Sequence, residues 1–168
     1  MRLCLCPLAV GTPLPVFVLT LPLVFLSGPQ ALANPYQKLD GAWTGSGTVT
    51  PLKGSPNKVS CRTTYKTEGS QVTQTMRCDG ADHKFAADLK LTLEGGRISG
   101  AWAEQRHGVS GDVTGTASGS SIRARLSGHK FTGRMSVNVQ GPRHTIEIVQ
   151  RDEGSGAYRP VASISLHR

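Results

Sequence analysis

From Leu39 to the end of the chain, apolar and polar residues alternate, and the alternation is broken only by short Gly-rich segments. A period of two is the mark of strands with one buried face, joined here by hairpins. A two-residue loop pairs residues whose numbers sum to a constant, and a slip of one residue would turn the apolar face outward. A turn at Gly69-Ser70 sets Cys61 opposite Cys78 and gives Thr63, Tyr65, Val72, Gln74 and Met76 one face. The next strand carries Phe85, Ala87, Leu89, Leu91 and Leu93 on one side. Turning at Gly95-Gly96, it sets Leu93 opposite Ile98 and Leu89 opposite Trp102. Turns at His107-Gly108, Gly119-Ser120, Gly128-His129 and Gly141-Pro142 then oppose Trp102 to Val113, Ala117 to Ile122, Leu126 to Phe131, and Val137 to Ile146. Outer strands at 41–50 and 159–167 complete the ladder, with Trp43, Val49, Ala162, Ile164 and Leu166 inward. No stretch has helical periodicity. A long sheet with one apolar face and no helix over it must cover itself. The prediction is an all-β fold: a single antiparallel up-and-down β-barrel of about ten strands (8–10), or the same ladder flattened into two stacked sheets.

In meander order alternate loops fall at opposite ends. Tight turns at 69–70, 95–96, 119–120 and 141–142 predict a closed end. Longer loops at 51–57, 79–82 and 151–158, with those at 107–108 and 128–129, predict a mouth, where barrels commonly hold ligands. Gly45, Gly47, Gly100, Gly111, Gly115 and Gly133 face inward. They either let the strands bend sharply or leave room inside.

The first 33 residues change the picture of compartment. Arg2 precedes an apolar run that is densest from Val16 to Leu26, followed by Ser27-Gly28-Pro29 and an Ala31-Leu32-Ala33 cleavage pattern. This reads as a cleaved secretory signal over 1–33, leaving a domain at 34–168 in the periplasm or outside the cell. Cys4 and Cys6 would leave with it. The remaining pair, Cys61 and Cys78, then reads as a disulfide. The remainder carries 18 basic and 11 acidic side chains, a net +7. Such a charge serves solubility, with attraction to anionic lipid as a sharper alternative and no nucleic-acid partner expected.

Gly41-Ala42-Trp43-Thr44-Gly45-Ser46-Gly47 on the first strand resembles the Gly-x-Trp opening of calycin-type barrels: lipocalins, fatty-acid-binding proteins, avidins and nitrobindins. The longer Gly-x-Trp-x-Gly-x-Gly form is most similar to nitrobindins. The resemblance implies that Trp43 sits at the closed end beneath an arginine from a late strand, a place Arg168 can fill. It does not extend to haem. Nitrobindins ligate haem through a last-strand His, whereas His167 faces outward at the opposite end. No cofactor is expected.

His83, His107 and His129 gather at the predicted mouth near Asp79, Asp82, Asp152 and Glu153. Two strand spacings, about 10 Å, separate neighbouring loops, too far for one metal. Glu104 and Gln74 point inward, and Glu104 is placed to orient a polar head group at the rim. Arg62 opposite Arg77, and Arg123 opposite Arg134, crowd like charge on the outer face and form the candidate anion patch. No Gly-x-Ser-x-Gly, His-Glu-x-x-His or phosphate-loop motif occurs, so a non-enzyme is expected. The chain therefore reads as an exported, monomeric binding protein. Its ligand is expected to be small and apolar or amphipathic, lined by Tyr65, Met76, Leu89, Leu91, Trp102, Glu104, Phe131 and Met135. The alternatives are a protein-binding envelope module, such as a periplasmic protease inhibitor, and a structural envelope protein with a packed interior.

Overall fold

The computed structural model describes residues 35–168, and the expected signal at 1–33 lies outside the described residues. A 3-10 turn, Pro35–Lys38, leads into ten strands. They are β1 (Gly41–Val49), β2 (Asn57–Glu68), β3 (Gln71–Gly80), β4 (Lys84–Glu94) and β5 (Arg97–Glu104), followed by β6 (Val109–Ser118), β7 (Ser121–Gly128), β8 (Phe131–Gln140), β9 (Arg143–Arg151) and β10 (Tyr158–His167). Each pairs antiparallel with its chain neighbour, and β10 returns to β1, so the sheet closes into a barrel. The closing seam runs from Thr44 opposite His167 to Val49 opposite Ala162. The stacked-sheet alternative is therefore not the one adopted.

Burial follows the sequence alternation. Along β2 and β3 the inward residues Val59, Cys61, Thr63, Tyr65, Val72, Gln74, Met76 and Cys78 are buried and their neighbours exposed. The four tight turns fall where the Gly pairs placed them. At Gly95-Gly96 both residues have positive φ, and at Gly69-Ser70 only the glycine does. These are the two mirror-image turn forms whose twist suits a hairpin.

Two turns at the other end differ from expectation, each by two residues. The β5–β6 connection is a four-residue loop, so Glu104 pairs with Val109 and Trp102 with Gly111. The β7–β8 turn is His129-Lys130, so Gly128 pairs with Phe131 and Leu126 with Gly133. A shift of two leaves every side chain on its face, which is why the apolar pattern alone could not detect it. Side-chain volume makes the choice: the shifted registers place Trp102, Leu126 and Phe131 opposite glycines.

The inward glycines bend the strands. A Cβ on Gly45, Gly47, Gly100, Gly111 or Gly115 would lie 2.0, 2.2, 2.1, 1.7 or 2.2 Å from a carbonyl oxygen of the adjoining strand. At Gly133 it would meet the Phe131 ring at 2.6 Å. Only glycine permits such approach, and the tight coiling it allows is what lets the barrel close. On β10 the pairing slips between Pro160 and Ala162, and the backbone oxygen of Val161 accepts from Thr50 N–H at 2.8 Å. Proline, which has no N–H to give to the ladder, sits at this bulge.

Cys61 and Cys78 are disulfide-bonded across β2 and β3, Cα to Cα 4.1 Å. The bond links residues 17 apart, a loop whose closure is worth about 3 kcal/mol. We expect Cys61→Ala/Cys78→Ala to fold, with its urea midpoint lowered by the equivalent of about 3 kcal/mol. Equal midpoints for the variant and the oxidised protein would show that the staple adds nothing.

Candidate functional site

The barrel ends differ in chemistry. At the tight-turn end Trp43 is 1% exposed, and its Nε1–H donates to the Leu39 carbonyl at 2.6 Å. The Arg168 guanidinium lies over the Trp43 ring at 4.4 Å and donates to the carbonyls of Lys38 and Asp40. His144 packs edge-on against Trp43, with ring centroids 4.5 Å apart. Its Nε2 is 3.1 Å from the Tyr65 hydroxyl, and its buried Nδ1 has no hydrogen bond among the described residues. Burial, with the Arg168 charge beside it, pushes the His144 pKa down from 6.5 to about 4. Burial likewise pushes the Tyr65 hydroxyl well above its ordinary value. This end is a dense, neutral plug under one cation.

Toward the other end the interior is not filled by side chains, contrary to the packed-interior alternative. A cavity of about 390 Å³ lies there, within the usual range for small-molecule sites. Met76, Leu89, Trp102, Phe131 and Met135 line it, with Glu104 near its rim. Trp102 and Phe131 meet edge-to-face at 5.3 Å. Tyr65 and Leu91 do not line it; both lie below it in the packed core, Tyr65 held by His144. None of the inward glycines lines it either. Ile146, Ile148 and Ala162 from β9 and β10, with Pro51 and Leu52 from the loop after β1, complete an almost wholly apolar wall. Pro51 and Leu52 belong to the 51–57 loop that meander order assigns to the mouth.

Glu104 is 3% exposed, and both its oxygens are taken. Oε1 accepts from the N–H of Ala86 at 2.8 Å and of Arg106 at 3.2 Å. Oε2 accepts from His107 N–H at 2.8 Å and lies 2.6 Å from His107 Nδ1. Burial opposes its charge, yet the donors from Ala86, His107 and Arg106 outweigh it and hold the carboxyl below its ordinary value. Its side chain is thus the anchor of the four-residue β5–β6 loop rather than a free head-group ligand. That loop carries His107 back over the rim to stack on His83, ring centroids 5.6 Å apart, closer than strand spacing implied. Among the described residues no group of three or more His, Cys, Asp or Glu is placed to hold a metal ion.

On the outer face Arg62 does oppose Arg77, but Arg77 is held by Asp88 at 2.8 and 3.2 Å and by the carbonyls of Met76 and Ala87. With the corrected register Arg123 faces Ser136, and it is Arg125 that opposes Arg134. Arg134 in turn stacks on Tyr158 at 4.0 Å. Of the four arginines of the expected anion patch, Arg77 and Arg134 are thus already partnered, while Arg123 and Arg134 border one outer groove with Arg125.

Neither a protein family nor a curated protein matches the chain in sequence. Solved structures do match its fold. Rv2717c from M. tuberculosis superposes with a TM-score of 0.66 at 17% identity, covering 82% of this chain and 99% of that one. The S-type phycobiliprotein lyase CPES from Guillardia theta gives 0.52 at 9% identity, covering 78% and 88%. The closed ten-strand barrel and these neighbours fit a calycin-like, lipocalin-type fold. The CPES likeness also corrects the expectation of a non-enzyme. The fold is shared with a lyase, so neither the barrel nor the lack of familiar catalytic motifs excludes catalysis.

The neutral His144 makes stability depend on pH. Its folded-state pKa is depressed, so its contribution is complete above pH 6.5 and is lost as the pH falls toward 4. The shift corresponds to about 3 kcal/mol. We expect urea midpoints of the wild type to fall across this window and those of His144→Gln to fall less. Parallel losses in both proteins would assign the titration to another group.

Proposed function

We propose that the protein is an exported barrel that binds a small apolar or amphipathic molecule in the cavity between its loop-bearing end and the Trp43–Arg168 plug. The observation that carries this reading is a cavity of about 390 Å³ walled by Trp102, Phe131, Met76, Met135, Leu89 and Ile146. Close-packed interiors hold few voids larger than a water molecule. An apolar space of this size under a ring of loops therefore has the form of a site. Burying a ligand's apolar surface there would contribute roughly 25 cal/mol per Å² before the losses of binding are counted. Similarity in fold to a phycobiliprotein lyase supports a reading in which such a barrel serves a small organic group. Export is supported by the signal pattern at 1–33 and by the Cys61–Cys78 disulfide, a bond of oxidising compartments. Among the described residues no helix is long and apolar enough to cross a membrane.

Diphenylhexatriene, a hydrocarbon that fluoresces in apolar surroundings, is the direct probe. We expect saturable binding at one site per chain. Ala87→Phe or Leu89→Trp, which add bulk to the cavity wall, should weaken it at least about tenfold while circular dichroism still reports the folded barrel. Absence of saturable binding to the wild type, or equal binding by the filled variants, would sink the reading.

A further inference from the structure

Gln74 breaks the apolar pattern of the cavity. It faces inward from β3, between Tyr65 of β2 and Leu89 of β4, and is 5% exposed. It lines the cavity, its amide makes no hydrogen bond to protein among the described residues, and the amide is not sealed off but faces the open space of the cavity. Its place is the inner end. On β3 the lining consists of Gln74 and Met76, and on β4 of Phe85, Ala87 and Leu89. The next inward residues toward the tight turns, Val72 and Leu91, belong to the packed core. The nearby Tyr65 hydroxyl is engaged with His144. A leucine of similar size would suit the apolar wall without a partner, whereas an amide facing the cavity must bond to water or to a ligand. An amide facing the bottom of an apolar cavity is therefore placed to bond a polar group that arrives with the ligand.

The charges around the cavity narrow what that partner is. No Lys or Arg lines it. Glu104 is the one carboxylate in the wall, near the rim, with both oxygens already bonded. His83 and His107 are at the mouth, stacked on each other. A carboxylate, phosphate or ammonium carried to the inner end would shed its water and meet no opposite charge. A hydroxyl, carbonyl or amide needs only one or two hydrogen bonds, and Gln74 offers both donors and an acceptor.

Resting on the ligand reading above, we propose that the cavity selects an uncharged amphipathic molecule whose leading polar group hydrogen-bonds to Gln74 and whose apolar body lies against Trp102, Phe131 and Met135. Displacement of diphenylhexatriene by 1-decanol and by decanoate at pH 8 tests this. Decanol should displace the probe at concentrations at least about tenfold lower than decanoate. Gln74→Leu should weaken decanol about tenfold, the worth of one good hydrogen bond. The empty Gln74→Leu protein should melt no lower than the wild type, because no hydrogen bond to protein is lost; a merely structural glutamine would give a lower melting temperature. Equal displacement by decanol and decanoate overturns the proposal, and so does undiminished decanol binding by a folded Gln74→Leu. If that variant fails to fold, the structural role is the correct one. If diphenylhexatriene itself does not bind the wild type, the cavity reading fails first and this inference falls with it.

Discussion

The pairing of β1 with β10 is the constraint on which the rest depends. Ten strands present one apolar face, and no helix among the described residues covers it. An open sheet would expose that face and leave two unpaired backbone edges. Closing the seam satisfies both edges together and turns the face into an interior. Closure requires tight coiling, and coiling requires backbones to approach where no Cβ can stand. Gly45 and Gly47 supply that on the closing strand itself, pressed against Ser165 and Ser163 of β10. The large inward residues sit opposite the glycines, Leu166 against Gly45 and Ile164 against Gly47, so the volume lost on one strand is filled from its neighbour.

Closure also separates two environments. At the tight-turn end, Trp43, His144 and Tyr65 fill the interior, and Arg168 covers them from the last residue of the chain. Polar groups there are satisfied locally or kept neutral. At the loop-bearing end Trp102 and Phe131 meet, but the interior residues do not fill the space between the strands, and the cavity remains. Glu104 links this end to the wall: by holding the backbone of Ala86, Arg106 and His107 it fixes the β5–β6 loop at the rim. The rim is thus built on a buried anion, while the inner end carries neutral groups, the Gln74 amide and the Trp102 Nε1–H, unpaired among the described residues.

The sequence by itself determined the strand ladder, its facing and its staple. Alternation of period two is a local property, and the positions of Gly69, Gly95, Gly119 and Gly141 fixed turns whose backbone needs glycine. The Cys61–Cys78 pairing followed from one such turn. Tertiary structure decided what local pattern leaves degenerate. A register shift of two residues preserves every face, so the pairing of Trp102 with Gly111 was settled by side-chain volume and by the Glu104 loop, and that of Arg125 with Arg134 by the fit of Leu126 and Phe131 opposite glycines, contacts between residues on different strands. Inward direction was legible for all eight expected lining residues, but depth was not. Tyr65 and Leu91 point the same way as Met76 and Leu89, and they differ only in height along the barrel, which depends on strand tilt and closure. Whether inward glycines bend or hollow the barrel was equally a question of how near the next strand comes, and that distance exists only once the seam between β1 and β10 has formed.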